Sequence, residues 1–240
     1  MDCTIRNSIL SAGFAAGFLI YIAVCPLQAQ QGLGGADPLS MPADRVSDSF
    51  QIYSSLIPLG ETANPRWSHE KWLVADSTVT VVPDDEPCSP AIDPERAKKF
   101  SPSMNPHLAV HFPEKYREDG EEILADFDAH CHERWNLDGG SWSVSEPLLL
   151  LSGKEQNEFK LIRFRVDTEG KFSPETIAKY KGAVAIYSFS GAYFNRNHTV
   201  ALVHATHWCG SLCGEGFWTG FVLEDGVWKR QAWGGTMWIS

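Results

Sequence analysis

The densest set of side chains able to do chemistry is His204, His207, Cys209 and Cys213, followed by Glu215. Imidazole nitrogen and thiolate sulfur bind zinc, so these residues form a candidate metal set. Strand geometry limits it: alternation puts His207 and Cys209 on one side, and His204 with Trp208 on the other. His207, Cys209 and Cys213 then converge with a fourth position open, the arrangement of a catalytic zinc site. A second reading makes Cys209 a nucleophile activated by the nearby His207. Both need reduced sulfur. In the third reading Cys209 and Cys213 are bridged, because Gly210 and Gly214 let the backbone turn sharply between them. The bridge is the expectation, and a bridged cysteine attacks nothing, so no metal ligand, cofactor-binding or catalytic residue is assigned.

Other reactive patterns are weaker. Ser188-Phe189-Ser190-Gly191 lacks the glycine spacing of a nucleophile elbow. Gly32-Leu33-Gly34-Gly35 does not join a strand to a helix and so cradles no phosphate. Paired carboxylates for glycoside cleavage leave no sequence signature, and Glu215, in the bend between two strands, is the first candidate acid. Asn197-His198-Thr199 satisfies a glycosylation sequon. Of nine tryptophans, Trp208, Trp218, Trp228, Trp233 and Trp238 fall near the C-terminus. An exposed row of them could stack on sugar faces, but filling the core, with each N–H finding a partner, is the expectation.

These residues are carried by a chain of 240 residues, 43% hydrophobic, 12% aromatic and 21% charged. That length suits one domain with a tail. With 20 Lys+Arg against 30 Asp+Glu the formal charge is -10, which argues against a nucleic-acid surface. Residues 1–29 follow the order of a secretory signal peptide: Arg6 in a short polar start, an apolar run from Ile9 to Val24, then Leu27-Gln28-Ala29. Leu27 is large for its place before the cut, which leaves an uncleaved anchor as the alternative; Cys25 raises lipidation as another. Either would attach the chain to a membrane. Export, secreted or periplasmic, puts Cys88, Cys131, Cys209 and Cys213 in an oxidising compartment, with three pairings open to them. We expect Cys209 with Cys213, and Cys88 with Cys131, worth about 2 and about 4 kcal/mol in the chain-entropy model.

The elements that must position these groups follow from periodicity. Residues 30–44 are rich in Gly, Pro, Ala and Gln and read as a flexible leader, and residues 45–240 as a single domain. Val46, Phe50, Tyr53 and Ile57 predict a helix over Arg45–Leu59, ended by Pro58. Trp72–Val82 alternates as a strand, and Pro83–Pro94 is a proline-rich loop holding Cys88. Glu114–Trp135 is the clearest helix, with Leu124, Phe127, Cys131 and Trp135 inward, His130 and His132 flanking, and Glu121, Glu122, Asp126 and Asp128 on a solvated face. Strands are predicted at Pro147–Leu151, Phe159–Val166, Gly182–Phe189, Thr199–Cys209, Phe217–Leu223 and Val227–Trp233, with a tight turn at Asp225-Gly226. Helices first and strands afterwards give an α+β class: N-terminal helices on a curved, roll-like antiparallel sheet with disulfide-pinned C-terminal hairpins.

Several segments together carry a resemblance. Ser190-Gly-Ala-Tyr-Phe-Asn195, Ala201-Leu-Val203, Cys209-Gly-Ser-Leu-Cys-Gly-Glu-Gly216, Gly226-Val-Trp228 and the closing Trp238-Ile-Ser240 resemble a family of uncharacterised exported bacterial proteins. Tyr53-Ser-Ser-Leu56, the strand ending near Thr78, and Asp126-Phe127 are similar more weakly, which extends the likeness over most of the chain. The chain departs from that pattern at Gly191-Ala-Tyr193, where related chains carry Arg-Val-Gly, and in placing Gly234-Gly235 near its end. The resemblance implies export and the disulfide turn and transfers no catalytic residue. The expected function is an exported domain that binds a protein or carbohydrate ligand or associates with the envelope. The alternative is a secreted hydrolase acting near His207 and Glu215.

Overall fold

In a computed structural model, residues 37–57, 70–89, 104–164, 172–210, 213–235 and 238–239 are described. The expected signal segment 1–29 with Cys25, the expected leader to residue 36, the expected stop at Pro58, loop residues 90–94 and the predicted strand end at 165–166 lie outside them.

The first helix forms where its spacing predicts one, as α1 (Ala43–Leu56), with Asp44 in the first turn complementing the helix dipole. Its buried side is wider than the predicted stripe, adding Arg45, Ser49, Ile52 and Leu56 to Phe50 and Tyr53. Residues just before it are paired rather than free. Leu39 donates its N–H to Arg134 O at 2.7 Å and accepts from Asn136 N at 2.8 Å.

The predicted strand at Trp72 is shorter, β1 (Trp72–Ala75), and all four of its residues are buried. Trp-Leu-Val-Ala is a continuous apolar run, the pattern of a central parallel strand covered on both faces. The polar alternation beyond it belongs to an extended link, where Thr78 N reaches Trp135 O at 2.9 Å and Val79 N reaches Phe189 O at 2.8 Å. Two short elements follow: α2 (Pro106–Ala109), capped by Asn105, and a 3-10 turn at Glu114–Tyr116. The long helix is α3 (Arg117–His130), which stops before Cys131 and turns Gly120, Ile123 and Phe127 inward, with Leu124 half-buried.

β2 (Leu148–Leu151) leads into α4 (Gly153–Phe164), which overturns the predicted strand at Phe159–Val166. The deciding signal is a capping box: Ser152 Oγ accepts from Glu155 N at 3.4 Å and the Glu155 carboxylate accepts from Ser152 N at 2.8 Å. Phe159 is buried by helical rather than strand periodicity. A further helix, α5 (Pro174–Tyr180), has Ser173 as its N-cap and Pro174 at its first position. Then come β3 (Ile186–Phe189), β4 (Tyr193–Phe194), β5 (Val200–Gly210), β6 (Cys213–Glu224), β7 (Val227–Gly234) and β8 (Trp238–Ile239).

These strands make one eight-stranded sheet in the order β2-β1-β3-β5-β6-β7, with β4 beside β5 and β8 beside β6. The class is α+β as expected, but the sheet is mixed rather than antiparallel: β1 runs parallel to both β2 and β3. Parallel neighbours need long crossovers, and the helical segments before and after β2 supply them. The later strands are antiparallel, and Asp225 and Gly226 turn with φ of 52° and 76°, the signature of the tight hairpin predicted there.

Both faces of the sheet are covered. Val203, Ala205, Tyr187, Phe189 and Phe221 pack with Phe50, Tyr53 and Leu56 of α1. On the opposite face Leu202 and Trp218 pack with Ile123 and Phe127 of α3, and Leu73 and Ile186 with Phe159 and Tyr180. The acidic side of α3, expected to be solvated, is instead largely committed. Asp119 accepts from Asn195 Nδ2 at 2.8 Å, Glu122 from Arg196 N at 2.9 Å, and Asp126 from Phe194 N at 2.8 Å. Asp128 holds His107 at 2.7 Å, and Glu121 alone of the predicted set is exposed. Positions 119, 122 and 126 fall on one helical stripe, so α3 docks the β4–β5 turn through its carboxylates.

Cys88 bridges Cys131 and Cys209 bridges Cys213, with Cα separations of 6.0 and 5.1 Å. Among the described residues no helix is long and apolar enough to cross a membrane.

Candidate functional site

The reactive cluster of the sequence is divided by the sheet. The Cys209–Cys213 bridge joins the ends of β5 and β6 and removes the three-residue zinc arrangement, since neither sulfur is a free thiolate. Among the described residues, Cys88, Cys131 and His132 bring ligand atoms within 4.8 Å of one another, and there too both sulfurs are bridged. His204 and His207 take opposite faces, as alternation requires.

His207 and Glu215 come together. They are directly cross-strand in β5 and β6, and His207 Nδ1 lies 3.4 Å from Glu215 Oε1. Tyr187, the opposite neighbour on β3, places its ring 5.9 Å from the imidazole. Burial lowers the His207 pKa, and the Glu215 charge partly opposes that.

Glu215 also lines a cleft of about 500 Å³ between β6 and β7, with Phe217, Thr219, Arg230, Gln231 and Trp233. The cleft exists because the ladder slips. Thr219 pairs with Gly234 and Phe221 with Arg230, so two steps along β6 face four along β7 and residues 231–233 bow outward. Gly220 and Gly234 permit this close approach. A Cβ on Gly220 would sit 2.3 Å from the Trp233 ring, and one on Gly234 would sit 2.2 Å from Trp218 O. Trp233 is braced from the other side by Phe112 and Tyr116, at ring distances of 5.3 and 5.6 Å.

Arg230 is held in place without being neutralised. Its Nε donates to Thr219 Oγ1 at 3.2 Å, and its guanidinium carbon lies 5.3 Å over the Phe217 ring. Burial against that ring lowers its pKa, with the Glu215 charge acting the other way. Arg230, Gln231, Phe217 and Thr219 were not singled out in the sequence. The legible signal was the glycines: Gly220 and Gly234-Gly235 interrupt strands in the way that marks a bulge.

The tryptophans do not form one exposed row. Trp218 and Trp228 are buried on opposite faces, Trp208 is half-buried beside Phe159, and of these only Trp218 and the less buried Trp233 line the cleft. Trp238 and Ser240 lie outside what is described of side chains. Asn197 of the sequon is exposed in the β4–β5 turn.

His204 is 1% exposed, edge-on to Trp218 at 5.1 Å, and neither ring nitrogen has a hydrogen-bond partner. Burial drops its pKa to about 3, so the folded state keeps the ring neutral. The unfolded chain takes up this proton near pH 6.5, and the folded one does not. Stability carried by His204 is therefore complete above that pH and falls with acidification, by about 2 kcal/mol between pH 6.5 and 5. Denaturant melts at both pH values should show the loss in the wild type. His204→Phe should flatten the slope, and an unchanged slope in that variant would refute the assignment.

No protein-family model, curated protein or solved structure matches this chain.

Proposed function

We propose that the protein is an exported, disulfide-bridged binding domain, secreted or periplasmic, that seats a small polar ligand in the β6–β7 cleft. On this reading it belongs with the exported bacterial proteins that its Cys-Gly-Ser-Leu-Cys-Gly turn resembles. The single observation carrying it is the cleft's make-up: Glu215 and Arg230 set opposite charges beside Phe217 and Trp233 in a concavity of ligand size. Thr219, the one hydroxyl in that lining, is 2% exposed and engaged by Arg230, so the described residues there offer recognition groups and no activated nucleophile. Two disulfides suit an oxidising compartment. A charge of -10 does not suit nucleic acid. Membrane contact follows only if the signal segment stays attached or Cys25 is lipidated.

An amide-resolved NMR titration with sugars, sugar acids, sugar phosphates and amino acids tests the reading. Shifts are expected at Glu215, Phe217 and residues 230–235. Shifts clustered elsewhere, or none with any compound, reject it.

The His207–Glu215 contact supports a second reading, a secreted hydrolase with Glu215 as its acid. On that reading Glu215→Gln abolishes turnover of a chromogenic glycoside or ester found by screening, and unchanged turnover in that variant and in His207→Ala eliminates it.

A further inference from the structure

We infer that the cleft between β6 and β7 takes a saccharide bearing a carboxylate, a sugar acid of the uronate type. The inference rests on the proposal that this cleft is the ligand seat, and it names what sits there.

The anionic end of the ligand follows from Arg230. Among the described residues, Arg45, Arg117 and Arg196 each meet a carboxylate, of Asp126, Glu114 and Glu122. Arg230 meets none. One nitrogen is tied to Thr219 and the cation rests over Phe217, which fixes the plane of the guanidinium. Its two terminal nitrogens have no hydrogen-bond or ion-pair partner among the described residues, in a chain with ten more acidic than basic side chains. A planar fork held in one orientation with its outer edge unused matches an oxyanion two atoms wide. Its lowered pKa is consistent with a partly desolvated cation, a state in which pairing with an anion is worth more.

Glu215 selects among oxyanions. Its carboxylate lines the same cleft and opposes any anion there, so an oxyanion is held well only where the rest of the ligand brings groups that Glu215 can bind. Glu215 also accepts hydrogen bonds and, ionised, donates none, so the ligand must bring donors to it. His207, 3.4 Å away, steadies that carboxylate from beneath the cleft. Gln231 offers both a donor and an acceptor. Ring hydroxyls are donors and acceptors at short spacing, and they answer Glu215 and Gln231 together. The C–H groups of a sugar ring meet the part of Trp233 that lines the cleft, a ring clamped between Gly220 and the pair Phe112 and Tyr116. Carboxylate on Arg230, hydroxyls on Glu215 and Gln231, and ring C–H groups against Trp233 are together the groups of a uronate.

The test uses the full chain as purified, oxidised. Calorimetric titration compares glucuronate and galacturonate with glucuronamide, glucose, galactose and inorganic phosphate. The acids should bind at least about tenfold more tightly than the neutral amide of the same shape, the worth of a charge-assisted pair. That margin should shrink as salt is added. Arg230→Gln, shown folded by an unchanged thermal midpoint, should bind acid and amide alike, and Arg230→Lys should keep only part of the difference. Equal binding of glucuronate and glucuronamide by the wild type overturns the inference without recourse to any variant. Phosphate binding more tightly than the uronates overturns it as well. In either case neutral sugars that still shift the cleft resonances leave the binding-domain proposal standing. If no compound shifts them, the cleft proposal falls first and this inference with it.

Discussion

Asp126→Ala is expected to lower the unfolding free energy by about 3–5 kcal/mol, the cost of leaving a buried partner charge unanswered. Arg45 in α1 and Asp126 in α3 are both largely buried, with side-chain exposures of 11% and 13%. Arg45 approaches the carboxylate with both terminal nitrogens, Nη1 reaching Asp126 Oδ2 at 2.8 Å and Nη2 bonding to Oδ1. The cation also lies 5.6 Å over Trp135 and 5.8 Å over Phe194. The same Oδ2 accepts the Phe194 N–H, and His130 Nδ1 lies 3.1 Å from Oδ1. One carboxylate thus joins α1, α3 and β4. Removing it strands a guanidinium and a backbone donor away from water, and both penalties fall on the native state. The Arg45→Met, Asp126→Leu double variant should be less damaging than either single change, because an apolar pair leaves no buried charge. Denaturant unfolding of the four proteins in a double-mutant cycle measures the coupling. A single-variant loss under about 1 kcal/mol would mean the pair is solvated and the docking role assigned to it is wrong.

Cys88→Ser is expected to cost about 4 kcal/mol by opening a loop of 43 residues, against about 2 for Cys213→Ser at a separation of 4. Cys131 is 1% exposed and sits just past the end of α3, packed with Ile123, Phe127 and Trp218. Cys88 lies in a proline-rich stretch with little apolar burial, and Asn105 Nδ2 donates to its carbonyl at 2.8 Å. The long bridge therefore ties that stretch, and Asn105 beyond it, to the core. Thermal melts of the two serine variants in oxidising buffer should rank them in this order. The reverse order would show that the short bridge at the sheet edge, not the long one, supports the fold.

The periodic helices at Arg45 and Glu114, the long hairpin strands β5, β6 and β7, the Asp225-Gly226 turn and both disulfide pairings were legible in the sequence, because each is specified locally: by apolar spacing, by a positive-φ glycine turn, or by cysteine count and spacing. The misreadings share one cause. Phe159–Val166 alternates by accident of Lys160 and Arg163, while Ser152 and Glu155, upstream of Phe159, had already started a helix. Trp72–Ala75 carries no mark of direction, so its parallel pairing could be decided only by where β2 and β3 lie. The carboxylates of α3 have the composition of a solvated face, and only the arrival of residues 194–196 across the sheet makes them docking groups.

The reactive cluster shows the same division. Composition and spacing alone set the acidic balance, the bridge between Cys209 and Cys213, and the opposed faces of His204 and His207, because each depends on neighbours in the chain or on a period of two. The contact of His207 with Glu215 was open to any strand register, and the pairing of β5 with β6 selected it. The cleft was decided later still. It needs β7 to slip against β6 over two glycines, so that Arg230, fifteen residues beyond Glu215, comes to line the same hollow. Register is a property of two strands, and neither strand carries it alone.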